Sequence, residues 1–289
     1  MPEVIRDPNE LRRRLATARK NNRSIGLVPT MGALHAGHVA LLQAARRQND
    51  VAVTSIFVNP LQFDLRQDLD SYPRTMEDDL NVCGDCGVDV VFAPTEAELY
   101  PAEQLTFVES PALSAHLCGQ FRSGHFRGVA TVVLKLFNLV QPDRAYFGEK
   151  DAQQLAIIRR MVQDLNLPLT IVPIATVRES DGLAISSRNK LLTSQQRQIA
   201  PVLSRALRAA VELIQGGGET SVPVLHRKAL AVLSAYPDAR LEYFEIVDPE
   251  TLAPVETVNG PVLIAAALWL GSVRLIDNIS WPADRITTS

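Results

Sequence analysis

Two histidines three residues apart, His35 and His38, close the segment Pro29-Thr-Met-Gly-Ala-Leu-His-Ala-Gly-His38. A short apolar run, Ser24 to Pro29, precedes it, and from Val39 to Arg47 apolar and small residues recur at helical spacing. This order reads as strand, loop and helix start, the kind of place on a parallel sheet where ligands bind. Free backbone N–H groups and the helix macrodipole favour an anion there. Gly32 and Gly37 let the backbone approach it, and imidazoles can donate hydrogen bonds to phosphate oxygens. The segment therefore suits a nucleotide phosphate chain, although it lacks the Gly-x-Gly-x-x-Gly of dinucleotide folds and the Gly-Lys-Ser/Thr of a P-loop. The plain alternative is that both histidines merely cap the helix.

A second pattern, Cys83-Gly-Asp-Cys86, could be a redox centre or half of a zinc site. No second pair accompanies it, and Cys118 with His116 is spaced unlike zinc ligands. Two structural thiols are expected. Three cysteines in a chain of 289 residues are no disulfide framework, so they are read as reduced.

The elements that must position these residues alternate along the first part of the chain. Strand-like runs at Val51–Val58, Val88–Ala93, Ala145–Phe147 and Leu169–Ala175 are separated by helical patterns at Met76–Val82, Val129–Leu139 and Ala152–Leu165. A doubly wound, Rossmann-like α/β domain with a parallel sheet is expected over residues 1–177. Beyond it, helical segments Ser194–Ile214 and Val222–Ala235 precede three strand-like runs, Leu241–Val247, Pro261–Leu270 and Val273–Ile279. A turn at Gly271-Ser272 joins the last two as an antiparallel hairpin, so residues 178–289 are read as a smaller α+β domain.

Composition limits the remaining possibilities. With 46% hydrophobic and 21% charged residues, disorder, collagen and coiled coil are excluded. Lys and Arg number 29 against 32 Asp and Glu, a net charge of -3, so nothing global attracts nucleic acid. Acids and prolines stand near the start where an export signal needs a basic and then an apolar stretch, and the apolar run Val262–Leu270 is shorter than the roughly 20 residues of a membrane span. A cytoplasmic protein without a membrane partner is expected.

Five further segments extend the histidine motif. They are Ser55-Ile-Phe-Val-Asn-Pro-Leu-Gln-Phe63, Gly124-His-Phe-Arg-Gly128, Phe147-Gly-Glu-Lys-Asp-Ala-Gln-Gln154, Asp181-Gly-Leu-Ala-Ile-Ser-Ser-Arg-Asn189 and Arg274-Leu-Ile-Asp-Asn278. The histidine stretch resembles the His-x-Gly-His signature of the nucleotidyltransferase superfamily that includes class I aminoacyl-tRNA synthetases. All the segments together, in order over nearly the whole chain, resemble the pantothenate synthetase (pantoate–β-alanine ligase) family.

The resemblance implies a two-step reaction: pantoate and ATP give pantoyl adenylate and pyrophosphate, and β-alanine then attacks the acyl carbon and releases AMP. It implies His38 as catalytic proton donor and His35 on the nucleotide, with Lys150 and Arg188 completing the catalytic set. The implied ATP site runs through Met31, Gly32, Ala33, Leu34, His35, Ala36, Gly37 and His38. Gly148, Glu149, Lys150 and Asp151 continue it, as do Val177, Ile185, Ser186, Ser187 and Arg188, the last four in a loop that closes over ATP in the superfamily. Gln62 and Gln154 are implied on pantoate, Gln62 also on β-alanine, with Asn59 as a further pantoate contact and His125 near the substrate. Asp78 is the candidate for the Mg²⁺ that accompanies ATP, although Glu77, Asp78 and Asp79 also suit a helix N-terminus. A homodimer through the first domain is implied as well.

Two other readings remain at this stage. A nucleotidyltransferase joining AMP or CMP to a phosphorylated acceptor would need the histidine motif but not the two glutamines. A catalytically silent nucleotide- or RNA-binding relative is opposed by the acidic balance and by the presence of His38, Lys150 and Arg188.

Overall fold

Continuous apolar runs become parallel strands buried on both faces. The structure, a computed structural model, describes residues 1–64 and 66–282. In chain order the first elements are β1 (Glu3–Ile5), α1 (Pro8–Lys20), β2 (Ile25–Thr30), α2 (Ala36–Gln48), β3 (Val51–Ile56), α3 (Arg66–Asp70), α4 (Met76–Asp85) and β4 (Val90–Phe92). Then come α5 (Glu96–Leu99), α6 (Pro111–Ser114), α7 (His125–Val140), β5 (Arg144–Gly148), α8 (Ala152–Asp164) and β6 (Thr170–Ile174). The last are α9 (Ser194–Ile199), α10 (Val202–Gly217), α11 (Val222–Leu233), β7 (Ala239–Val247), β8 (Val262–Leu270) and β9 (Val273–Trp281).

Contacts divide the chain into two units. The first holds residues 1–111, 122–149 and 157–175; the second holds 112–121, 150–156 and the chain from Thr176 onward. Two short segments from within the span 1–177 thus belong with the second unit. For 112–121 the reason is visible: the 3₁₀ turn Leu117–Gln120 packs on β8, and Phe121 stacks on Tyr243 with ring centroids 5.9 Å apart.

In the first unit six parallel strands form one sheet in the order β1-β4-β3-β2-β5-β6. After β2 the chain winds outward through β3 and β4, then returns to lay β5 on the other side of β2. The order therefore reverses between β2 and β5, which opens a crevice at their carboxyl ends. Leu41, Leu42 and Ala45 of α2 and Cys83 of α4 pack on Val28, Ile56, Val91 and Tyr146, covering one sheet face. The edge strand β1 was not expected from sequence, since of its three residues only Ile5 is buried.

In the second unit β7, β8 and β9 form an antiparallel sheet, with Val273 paired to Leu270 across the Gly271-Ser272 turn. α10 and α11 lay Leu203, Leu207, Leu225 and Leu233 against Phe244, Ile264 and Leu268. The helix expected over Ser194–Ile214 is two helices. Pro201 has no N–H to continue the first, so α9 stops at Ile199 and α10 starts at Val202 with Pro201 as its N-cap.

Candidate active site

The loop from β2 to α2 turns through two successive left-handed residues, Gly32 at φ +82° and Ala33 at φ +51°. A side chain on Gly32 would also place its Cβ 2.8 Å from Oδ2 of Asp79, so only glycine fits. Asp79, buried in α4, accepts the backbone N–H of Ala33 at 2.9 Å and of Leu34 at 2.7 Å, and the Thr75 hydroxyl at 3.2 Å. One carboxylate thereby sets the shape of the loop.

The two imidazoles then close it. The His35 N–H donates to His38 Nδ1 and the Gly37 N–H to His35 Nδ1, each at 3.2 Å, with His35 as the N-cap of α2. A ring nitrogen that accepts carries no proton, so each neutral imidazole carries its proton on Nε2. The rings lie side by side, centroids 4.1 Å apart and tilted by 37°. The cap thus selects the tautomer with the proton on Nε2.

This geometry corrects one expectation. Free backbone N–H groups were expected to face an anion here, yet those of Ala33, Leu34, His35 and Gly37 all have partners within the protein. The buried Asp79 carboxylate and the two caps take them. A cleft of about 890 Å³ runs beside the loop, lined by Met31, Ile56, Phe57, Phe63 and Asp79 among others.

Gln62 stands in a 3₁₀ turn, Pro60–Gln62, held on every side. Its carbonyl accepts from His125 Nδ1 at 2.8 Å and from Arg122 Nη2 at 3.2 Å. Because a carbonyl only accepts and a guanidinium only donates, His125 donates through Nδ1 and receives Arg122 Nη1 on Nε2 at 3.2 Å. Gly128 of α7 allows the close approach, since a Cβ there would lie 2.2 Å from the Leu61 carbonyl oxygen.

Asn59, almost wholly buried, donates from Nδ2 to Gln62 Oε1 and to the Gly128 carbonyl, both at 3.1 Å. Its Oδ1 accepts from the Tyr100 hydroxyl at 2.8 Å and from the Leu61 N–H at 3.4 Å. Burial, with Glu96 nearby, pushes the Tyr100 phenol well above its ordinary value and keeps it a donor. Asn59, expected from the resemblance as a ligand contact, has its amide bonding positions used within the protein, one of them on the Gln62 side-chain oxygen. Among the described residues, Gln62 Nε2 donates to the Met31 sulfur, at 3.2 Å, a weak acceptor.

In the second unit, Lys150 is loosely paired with Asp151, Nζ to Oδ1 3.6 Å. Of the adjacent glutamines, Gln153 is buried and donates to the carbonyls of Leu113 and His116, whereas Gln154 is half-buried. Val177 and Ile185 face each other across a hairpin, with the Ile185 N–H on the Val177 carbonyl at 2.9 Å. Ser186 caps the 3₁₀ turn Ser187–Leu191 by accepting the Arg188 N–H at 3.3 Å. Ser187 and Arg188 are half-buried.

Asp78, one residue before the buried Asp79, is exposed in the first turn of α4. Among the described residues no three His, Cys, Asp or Glu side chains converge as a metal cage. Asp78 stands beside the equally exposed Glu77, and an exposed carboxylate suits magnesium, which typically takes one or two from protein and its other oxygens from phosphate and water. Cys83 and Cys86 form no disulfide; burial, with Asp79 and Cys86 nearby, pushes the Cys83 thiol up to about 12. No helix among the described residues is long and apolar enough to cross a membrane.

A parallel sheet whose order reverses beside a His-x-Gly-His loop defines a Rossmann-like nucleotide-handling enzyme of the synthetase type. The family model described as pantoate-beta-alanine ligase matches residues 3–280. A pantothenate synthetase of Moorella thermoacetica is 52% identical over 277 residues, which are 96% of this chain and 98% of that one. The crystal structure of pantothenate synthetase from Thermus thermophilus shares 47% identity and a TM-score of 0.90, covering 96% of this chain and 98% of that one. A pantoate-beta-alanine ligase from Francisella tularensis, solved in complex with beta-gamma ATP and beta-alanine, shares 34% identity at a TM-score of 0.80, covering 96% and 97%. The chain belongs to the pantoate–β-alanine ligase family, the ligases of pantothenate biosynthesis.

Proposed function

We propose that this chain condenses pantoate with β-alanine through a pantoyl adenylate. In the first step a carboxylate oxygen of pantoate attacks the α-phosphorus of ATP, the bond to the bridging oxygen breaks, and pyrophosphate leaves. A carboxylate is already ionised at neutral pH, so this step needs alignment and charge neutralisation rather than a general base. The Nε2–H groups of His35 and His38 supply donors to the phosphate oxygens, His38 acting as the catalytic donor. In the second step the amine of β-alanine attacks the acyl carbon, the C–O bond to AMP breaks, and the amine sheds its proton.

The observation that carries the reading is the 3.2 Å contact between Gln62 Nε2 and the Met31 sulfur. It joins the amide that would hold pantoate to the loop that would hold the phosphates. An acid replacing the sulfur as acceptor would stand next to the α-phosphate, as in-line attack requires. Gln62 and Gln154 are assigned to pantoate, and Gln62 also to β-alanine. Lys150, Ser186, Ser187 and Arg188 are assigned to the triphosphate. Asp78 is the carboxylate assigned to Mg²⁺, which when bound neutralises phosphate charge.

Pantoate-dependent exchange of labelled pyrophosphate into ATP, without β-alanine, tests the first step. Exchange followed by AMP and pantothenate on adding β-alanine is expected. ATP consumption with a phosphorylated acceptor but not with pantoate would replace the ligase by a nucleotidyltransferase, and silence in both assays would leave a binding module.

A further inference from the structure

The sequence segment Arg274-Leu-Ile-Asp-Asn278 has no role in the reaction as described so far, yet it ends in two buried polar residues. Asp277 is 4% exposed and Asn278 8%. Asp277 pairs with Arg178 through both carboxylate oxygens, Nη1 to Oδ2 at 2.6 Å and Nη2 to Oδ1 at 2.9 Å. The same guanidinium nitrogens reach the carbonyls of Gly182 at 3.1 Å and Asn278 at 3.2 Å. Both terminal nitrogens of Arg178 are thus committed within the protein, which assigns this arginine to structure rather than to phosphate.

What Arg178 holds is the root of a functional loop. Arg178 bridges Ala184 across an antiparallel hairpin, and the Glu179 N–H donates to the Leu183 carbonyl at 2.9 Å. The second arm of that hairpin runs directly into Ile185, Ser186, Ser187 and Arg188. From the other end of the cluster, Asn278 Nδ2 donates to the Lys150 carbonyl at 2.8 Å. The middle of β9 therefore grips both the backbone of the Gly-Glu-Lys-Asp segment and, through Arg178, the root of the serine–arginine loop. A fold needing only stability would bury apolar groups in the middle of β9, because a buried ion pair contributes little net stability. A bidentate charge pair and an amide directed at one particular carbonyl instead give a fixed geometry.

We propose that Asp277 and Asn278, with Arg178, are positioning residues that hold Lys150 and the Ser186–Arg188 loop in register for the triphosphate. This rests on the functional reading above. Asn278 acts through the Lys150 backbone and touches no substrate. Lost tethering should therefore lower the rate of adenylation and leave the acid site, built on Gln62, unchanged.

The test is a double-mutant cycle in the full chain, read by pantoate-dependent pyrophosphate exchange in wild type, Asn278→Ala, Lys150→Ala and the double variant. Asn278→Ala is expected to lower kcat by roughly 10- to 100-fold, the scale of a misplacement of about 1 Å, with the KM for pantoate within about twofold of wild type. In the Lys150→Ala background the same substitution should cost less than about twofold, because the group it positions is gone. Asn278→Ser is read in the same way if the alanine variant does not fold. Losses that add in the double variant, or an Asn278 variant with wild-type kcat, would overturn the proposal. Wild-type protein that shows no exchange would instead overturn the functional reading.

Discussion

The histidine loop and the lysine–arginine cluster are stabilised over very different sequence distances. In the first, the caps join residues two and three apart, and the tie to Asp79 spans 45 and 46 residues. In the second, Arg178 and Asp277 are 99 residues apart, and Asn278 and Lys150 are 128 apart. A motif held by its own neighbours announces itself in sequence, because the residues that do chemistry and those that hold them are the same few. A motif held from a distant strand shows only its reactive side chains. The first should tolerate changes elsewhere in the chain, and the second should depend on them.

The largest effect should come from the self-contained loop. His38→Ala removes both the donor proposed for phosphate and the acceptor for the His35 N–H, and should slow adenylation by about 10²–10³ while the protein stays folded. Rates of exchange and circular dichroism on one preparation check both halves. Asp79→Ala tests whether the loop also needs its tie to α4. It orphans two N–H groups at roughly 1–3 kcal/mol each in a urea titration and should cost roughly 10- to 100-fold in rate. A loss of stability without a loss of rate would show that the caps alone shape the loop.

Gly128→Ala disturbs the neighbouring turn instead, through a Cβ that would lie 2.2 Å from the Leu61 carbonyl oxygen. Overpacking of this kind costs about 1–3 kcal/mol. Because the Gln62 amide is moved while the histidines are not, the KM for pantoate should rise more than that for ATP. The smallest effect concerns Cys83, whose thiol is pushed up to about 12, mainly by burial. Folding raises this pKa above the unfolded value of about 8.5, so the stability it contributes is full below that pH and is lost as pH rises toward 12. Between about pH 8.5 and about pH 10 the urea midpoint should fall, and Cys83→Ala should flatten that stretch.

Most of the scaffold was legible because burial on both faces writes continuous apolar runs, as in β2, β3 and β5, and these strands, with the half-buried β6, fall within two residues of the runs that foretold them. β1 escaped because three residues carry no period, and the break at Pro201 escaped because helical spacing continues on both sides of it. Asp79 was hidden among three acids that a helix start explains equally well. Its one signal was phase: it stands four residues before Cys83, and both are buried on the inner face of α4. Asn59 was legible as important but not in its role, since its four bonding partners come from places as far apart as Tyr100 and Gly128. Nothing in the local sequence around Asn278 points to Lys150.

Pantoate labelled with ¹⁸O in its carboxylate provides the most direct test of adenylation. Attack on the α-phosphorus followed by C–O cleavage must carry one carboxylate oxygen into AMP. The account predicts AMP bearing one ¹⁸O per turnover and unlabelled pyrophosphate. AMP without label, or label in inorganic phosphate with ADP as the other product, would contradict it.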